Sequence, residues 1–149
     1  GIPMEKLRYP VKQLESVPHR LQLSRQGGRI LLDDSYNSNK NGFKAALDTL
    51  EMFKELRILM TPGMVELGEK QYSENKEVGA YAADKCDYAV LVGREQTKPI
   101  QDGLLEAGFA RSRMIVVDSL QEAFQMVNAI PDERQKVVLI ENDLPDNYA

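Results

Sequence analysis

The sequence has few of the residues that most often build disulfides, metal centres and nucleophilic active sites. Its 149 residues include one cysteine, Cys86, one histidine, His19, and no tryptophan. A single cysteine excludes an internal disulfide and a multi-cysteine metal site, and it is typical of a reducing compartment. A single histidine argues against a zinc site and against a nucleophile activated by histidine, because few of the side chains that such sites use are present. We therefore expect Cys86 to be a small buried apolar residue, and we assign no role to His19.

Long apolar runs and clusters of positive charge are also missing. No run approaches the ~18 residues that a membrane helix needs, and no signal peptide opens the chain, so we expect a cytoplasmic protein without membrane insertion. The net charge is −4, with Lys and Arg scattered along the chain, which argues against a nucleic-acid surface. Because residue 1 is glycine rather than methionine, we expect a processed chain or a piece of a longer protein.

Several catalytic motifs are absent as well. The sequence has no G-x-x-x-x-G-K-S/T phosphate loop, no G-x-G-x-x-G turn after its first strand and no G-x-S-x-G. A self-sufficient nucleotide hydrolase of the phosphate-loop type is therefore excluded. The domain lacks the groups for independent catalysis, and we expect no catalytic residue and no metal site within it alone.

Short apolar runs alternate with segments of helical period. The runs predict strands at residues 30–32, 58–60, 88–92, 114–117 and 137–140. Between them, apolar spacing predicts helices at 41–54 and 69–84, a third after a Thr97 cap and a fourth after a Ser119–Glu122 capping box. Near-continuous apolar strands separated by helices predict a three-layer, Rossmann-like α/β domain, with a mostly parallel sheet covered on both faces.

The first 28 residues follow a different pattern. Residues 19–23 alternate in character and precede Gly27-Gly28, which predicts an extra N-terminal strand joined by a hairpin to the first core strand. We interpret residues 1–16 as a linker or an added segment and residues 17–149 as the domain.

Ligands of an open parallel sheet bind outside the carboxyl ends of its strands. Polar residues follow most of the predicted strands there, at 33–37, 61–68, 93–94, 118–119 and 141–143. The pair Asp33-Asp34 also permits a phosphoacceptor receiver domain, which would hold Mg²⁺ with two such carboxylates. That pattern further needs Asp after the third core strand and Lys after the fifth, and neither is present. The acidic tail 141–146 suggests a cation site, although a solvated terminus is the simpler interpretation.

The stretch from Asp34 to Asn39, D-S-Y-N-S-N, resembles the C-terminal domain of the bacterial Mur ligases. One branch of that family adds D-alanyl-D-alanine to UDP-N-acetylmuramoyl-tripeptide, and it carries D-(A/S)-Y-N-(A/S)-N-P followed by a helix. Its G-D-M-x-E-L-G loop is similar to residues 62–68, and its linker arginine resembles Arg20 in P-H-R-L. The resemblance covers about residues 17–140. Departures include Lys40 for the proline, Asn75 for a histidine common in the helix after the loop, and residues 141–146 for a Lys-Gly-Ser stretch.

The resemblance implies an ATP-dependent amide ligase in peptidoglycan precursor synthesis that works through an acyl phosphate. In that family ATP and Mg²⁺ are bound mainly by a central domain absent from this chain, and the C-terminal domain closes over the nucleotide and presents the incoming amine. The implied partners are the N-terminal and central domains, the UDP-linked peptide and the dipeptide. The implied ATP-binding residues are Arg20, Asp34, Tyr36 and Asn37. The implied dipeptide-binding residues are Met64, Glu66 and Gly68; Arg94, which belongs to no family motif, is a further candidate to meet the dipeptide carboxylate. A stand-alone ligand-binding module and a ligase with a different amino acceptor remain the alternatives.

Overall fold

A six-stranded sheet forms the centre of the domain. The computed structural model describes residues 22–26, 28–35, 39–65 and 67–141. The strands are β1 (Gln22–Gln26), β2 (Arg29–Asp34), β3 (Leu56–Thr61), β4 (Tyr88–Val92), β5 (Met114–Val117) and β6 (Lys136–Glu141), in the spatial order β1-β2-β6-β3-β4-β5. The pairs from β2 to β5 are parallel, and β1 alone is antiparallel. The mostly parallel sheet and the N-terminal hairpin strand are both confirmed.

The described part of the hairpin strand extends further along the chain than predicted. β1 covers Gln22–Gln26 where 19–23 was predicted, residues 19–21 lie outside the described residues, and Gln26 pairs with Arg29 across the turn. Gly28 in this turn has φ +81°, a conformation that glycine adopts without steric cost. A tight glycine turn therefore places β1 at one edge of the sheet, beside β2.

Four α-helices in the described part of the chain cover the two faces of the sheet. They are α1 (Lys40–Glu51), α2 (Gln71–Ala82), α3 (Lys98–Glu106) and α4 (Leu120–Ala129). Apolar residues of α1, α2 and α3 join one core cluster with alternate strand residues, whereas α4 supplies Ala123 and Val127 to a second cluster on the other face. The three-layer arrangement is confirmed, with three helices on one side of the sheet and one on the other.

Two of the helix starts follow their sequence signals closely. Asn39 caps α1, because its side-chain oxygen accepts a hydrogen bond from the Gly42 N–H at 2.8 Å. Ser119 caps α4 through the Glu122 N–H at 3.2 Å. The Glu122 carboxylate accepts from the Asp118 N–H at 2.8 Å, one residue before the position expected for a capping box.

Helices α2 and α3 pack against each other through glycine. A Cβ added at Gly103 would lie 2.2 Å from the Lys76 carbonyl oxygen, and one at Gly79 would lie 2.5 Å from the Ile100 carbonyl oxygen. No side chain fits at either position, so the two backbones are in direct contact. Tyr72, near the start of α2, is 48% exposed, and its hydroxyl donates to the Asp102 carboxylate of α3 at 2.6 Å.

Candidate functional site

The carboxyl ends of β2, β6 and β3 bring three polar residues into one row. Asp34 is in register with Glu141, and Met60 is in register with Ile140, so that Thr61 follows at the level of Glu141. Adjacent strands lie ~4.8 Å apart, and residues in register on parallel strands point to the same face. Asp34, Thr61 and Glu141 therefore share the face covered by α1, α2 and α3, and all three are buried.

The burial of Glu141 corrects one interpretation of the sequence. A solvated tail was expected from residue 141 onward, but Glu141 is fully buried at the end of β6. The reason is topological, because β6 is inserted between β2 and β3 and its last residue lies between two neighbouring strands. Residues 142–149 lie outside the described part of the chain.

The turn after β2 begins with a local hydrogen bond. The Asp33 carboxylate accepts from the Ser35 N–H at 3.0 Å, which bends the chain immediately after the strand. Asp34 itself is at the buried end of β2, with 1% of its surface exposed. Arg20, Tyr36 and Asn37, predicted with Asp34 to bind the nucleotide, lie outside the described residues.

The loop after β3, residues 62–67, is held by two carboxamide side chains of α2. The Oδ1 atom of Asn75 accepts from the Met64 N–H at 2.9 Å, while its Nδ2 atom donates to the Met64 carbonyl at 2.9 Å and to the Gln71 carbonyl at 2.8 Å. Gln71 donates to the Met64 carbonyl as well, and its Oε1 atom accepts from the Leu67 N–H at 3.1 Å. Both sides of the Met64 residue are thus fixed by α2.

The loop after β4, residues 93–97, is bonded to the same region. Gln96 donates from Nε2 to the Pro62 carbonyl at 2.6 Å, which joins the two loops directly. Gln101 of α3 donates to the Arg94 carbonyl at 3.0 Å. Thr97 occupies the N-cap position of α3, as predicted, but its hydroxyl donates to the Gly93 carbonyl at 2.7 Å and makes no cap bond.

The predicted dipeptide-binding residues occupy different depths in these two loops. Met64 is 1% exposed, and its side chain belongs to the core cluster. Gly68 is exposed and has φ +63°, and Arg94 is exposed on the loop after β4. Glu66 lies outside the described residues. The structure therefore brings the loops of Gly68 and Arg94 to one edge of the sheet and gives the Met64 side chain a packing position.

Asn75 and Gln71 were not among the residues that the sequence marked as functional. Asn75 was noted only because it stands where the resembling family has histidine. The sequence does contain a signal for this role. Asn75 follows Gln71 by one helical turn, and both carboxamide residues come directly after a loop that contains glycine. A polar residue at a buried helix position needs hydrogen-bond partners, and here the loop backbone supplies them.

Two groups with altered pKa values lie away from the loops after β3 and β4. Cys86 lies at the amino end of β4, away from these loops, and burial raises the pKa of its thiol to about 12. Its expected role as a small buried residue is confirmed. On the surface of α2, hydrogen bonds from Lys44 and Lys40 hold the pKa of Glu77 below its ordinary value. That network joins α1 to α2 and lies apart from the loops after β3 and β4.

In the described part of the chain, no group of three or more His, Cys, Asp or Glu side chains is arranged to hold a metal ion. No helix in that part of the chain is long and apolar enough to cross a membrane.

The sheet order, the helices on both faces and the polar row at the carboxyl end define a Rossmann-like α/β domain with a candidate binding edge. A family model described as "Mur ligase, glutamate ligase domain" matches residues 19–141. The chain belongs to this family, and the resemblance seen in the sequence is confirmed.

Similar curated proteins carry one name. A UDP-N-acetylmuramoyl-tripeptide--D-alanyl-D-alanine ligase of Haemophilus influenzae is 46% identical over 52 residues, which cover 35% of this chain and 11% of that protein. The ligase of the same name from Escherichia coli K12 is 31% identical over 97 residues, which cover 64% of this chain and 22% of that protein. The chain therefore spans less than a quarter of the length of these relatives.

Solved structures share the fold. A crystal structure of MurF from Acinetobacter baumannii superposes with a TM-score of 0.69 at 20% identity, covering 84% of this chain and 27% of that one. The MurF ligase of Thermotoga maritima in complex with ADP gives a TM-score of 0.65 at 20% identity, with coverages of 85% and 27%. At this identity the likeness concerns the fold.

Proposed function

We propose that this chain is the C-terminal domain of an ATP-dependent ligase that adds D-alanyl-D-alanine to UDP-N-acetylmuramoyl-tripeptide. The family match and the names of the curated relatives support this reaction. The structural observation that carries the proposal is the bond from Gln96 to the Pro62 carbonyl, which unites the loops after β3 and β4 at one edge of the sheet. Both loops had been predicted from the sequence to contact the incoming dipeptide.

The proposed reaction needs activation, because a carboxylate is a poor electrophile. The tripeptide carboxylate attacks the γ-phosphorus of ATP, and ADP leaves as an acyl phosphate forms. The amine of the dipeptide then attacks the acyl carbon, loses a proton, and inorganic phosphate leaves. Positioning two reactants in this way replaces much of the entropic cost of their encounter.

In this proposal the domain supplies two groups of contacts. Arg20, Asp34, Tyr36 and Asn37 face the nucleotide when the domains close, with the Arg20 guanidinium paired to phosphate oxygens. On the acceptor side, the Glu66 carboxylate pairs with the dipeptide ammonium and Arg94 pairs with its carboxylate. Gly68 allows the loop to turn at φ +63°, and Met64 anchors the loop in the core.

The other domains supply the remaining chemistry in the proposal. Since the sequence has no phosphate loop, the phosphates of ATP and the Mg²⁺ ions are held mainly by a central domain of the parent protein. The N-terminal and central domains are thus the partners of this one, in a cytoplasmic enzyme. Closure of the C-terminal domain brings the amine to the acyl phosphate and excludes water.

Phosphate release by the full-length parent tests the proposal. We expect release from ATP in the presence of UDP-N-acetylmuramoyl-tripeptide to depend on D-alanyl-D-alanine, and to collapse in Asp34→Ala and Arg20→Ala. The 149-residue chain alone is expected to fold and to release no phosphate. Ligation by the chain alone would overturn the division of labour between domains.

The same assay separates the proposal from its alternatives. Release that depends on a single amino acid rather than on the dipeptide would identify a ligase with a different acceptor. A stable aspartyl phosphate, formed by the isolated chain from a small phosphodonor with Mg²⁺, would identify a receiver domain instead.

A further inference from the structure

We infer that Asn75, supported by Gln71, is a positioning residue for the acceptor amine, which it controls by fixing the loop at residues 62–67. The inference rests on the proposed function, because that function makes this loop the platform for the dipeptide. Asn75 itself is 0% exposed and so acts through the loop without touching the substrate.

The hydrogen bonds of Asn75 match the shape of a carboxamide. Its oxygen accepts from the Met64 N–H, and its nitrogen donates to the carbonyl oxygens of Met64 and Gln71. One acceptor and two donors are all engaged at 2.8–2.9 Å. An aspartate of the same shape would keep the acceptor, lose both donors and set a negative charge against two carbonyl oxygens.

Gln71, one helical turn before Asn75, makes further hydrogen bonds to the same loop. It bonds the Met64 carbonyl with its nitrogen and the Leu67 N–H with its oxygen, so the loop is fixed at both its buried and its outer end. Gln96 then ties Pro62 to the loop that carries Arg94. Displacement of Met64 would therefore shift both predicted contact loops.

The helix that carries Asn75 is packed rigidly against its neighbour. Its helix α2 is in backbone contact with α3 at Gly79 and Gly103, and a Cβ on Gly63 would meet the Asn75 oxygen at 3.3 Å. Gly63 has φ +87° and could not take a larger residue without strain. A loop packed this closely on fixed backbones has little freedom to relax when one of its hydrogen bonds is lost.

Hydrogen exchange in the full-length parent tests directly whether Asn75 fixes the loop. We expect Asn75→Asp to speed exchange of the amides at residues 63–68 by about tenfold or more, because the loss of both donor bonds and the new charge beside two carbonyl oxygens let the loop open more often. Tyr72→Phe is the matched control, since it removes a bond from the same helix, to Asp102 at 2.6 Å, without touching the loop. Unchanged exchange at 63–68 in Asn75→Asp would overturn the inference.

Steady-state kinetics of the same variants test the consequence. We expect the KM for D-alanyl-D-alanine to rise about tenfold in Asn75→Asp, with the KM values for ATP and the UDP-linked tripeptide changed less than about twofold. Faster loop exchange with no change in the dipeptide KM, or with equal changes in all three, would contradict a positioning role.

A second variant covers the case in which Asn75→Asp does not fold. Gln71→Glu, at a half-buried position, keeps the acceptor for the Leu67 N–H and removes the donor to the Met64 carbonyl, and it is expected to change the same two readouts in the same direction. If the wild-type parent shows no dipeptide-dependent phosphate release, the proposed function fails. The exchange result then still decides whether Asn75 holds the loop.

Discussion

Cys86 illustrates how position in the fold controls the chemistry of a single residue. The thiol is buried beside the first turn after α2, and its Sγ lies 3.5 Å from the Ala82 carbonyl. Burial disfavours the thiolate and raises the pKa to about 12. Since the thiolate is the nucleophile, the residue should be chemically inert in the folded protein.

We predict that the native chain reacts with a thiol reagent at pH 8 at least about 100-fold more slowly than the chain unfolded in denaturant, because the folded thiol is both neutral and inaccessible. Timed alkylation followed by mass spectrometry measures the two rates. Equal rates in the native and unfolded chain would contradict the buried position of Cys86.

Asp87 and Arg57 form an ion pair whose contribution to the free energy of unfolding depends on pH. The Asp87 carboxylate accepts from the Arg57 backbone N–H at 2.9 Å and lies 3.4 Å from two guanidinium nitrogens. Burial by itself would raise the pKa of Asp87, but these hydrogen bonds and the positive charge outweigh it and hold the pKa below its ordinary value of 3.8. The charged form is therefore the one that stabilises the fold.

Because the folded-state pKa is lowered, this stabilisation is present above about pH 4 and is lost as the pH falls through the lowered pKa. We predict that Asp87→Asn lowers the free energy of unfolding by about 1–3 kcal/mol at pH 7 and by less at pH 3. Urea unfolding of the 149-residue chain measures both. Asp84→Asn, at an exposed acid nearby, should cost less than about 0.5 kcal/mol, and an equal loss there would contradict the special role of Asp87.

At the scale of the elements, the contact between α2 and α3 depends on the two glycines where their backbones meet. A Cβ at Gly103 would lie 2.2 Å from the Lys76 carbonyl oxygen and 2.8 Å from the Ala80 nitrogen. These atoms belong to the backbone and cannot rotate away. Alanine would therefore force the helices apart even though it is the better helix former by ~1 kcal/mol.

We predict that Gly103→Ala lowers the free energy of unfolding by about 2 kcal/mol or more, because overpacking outweighs helix propensity. Gln125→Ala, at an exposed position of α4, is the matched control and should change it by less than about 0.5 kcal/mol. Thermal or urea unfolding measures the difference. A stabilised Gly103→Ala would mean that the helices do not pack this closely.

The elements also show which parts of the fold the sequence could predict. β4 and β5 begin and end where predicted, because continuous apolar runs flanked by polar residues mark buried parallel strands. Thr97 stands at the predicted cap position of α3 but makes no cap bond, because its hydroxyl donates to the preceding Gly93 carbonyl instead. The glycine contact between α2 and α3 joins residues that are distant in the chain, and no residue spacing within either helix predicts it.

At the scale of the whole molecule, the strand order decides which residues meet. The insertion of β6 between β2 and β3 buries Glu141 next to Asp34, although the two residues are far apart in the chain. The sequence identified the polar residues after most strands but not their lateral order. It could therefore predict the edge of the sheet that carries the candidate site, and not the row that Asp34, Glu141 and Thr61 form there.

In the proposed function, the loops after β3 and β4 receive the acceptor at the carboxyl end of the sheet. Hydrogen exchange of the full-length parent, in the presence of a non-hydrolysable ATP analogue and the UDP-linked tripeptide, tests it most directly when D-alanyl-D-alanine is added or left out. We predict slower exchange at residues 62–68 and 93–97 on addition of the dipeptide, and unchanged exchange at residues 108–113, which precede β5 at the opposite end of the sheet. Protection at 108–113 with none at the two loops would contradict the proposed role of these loops.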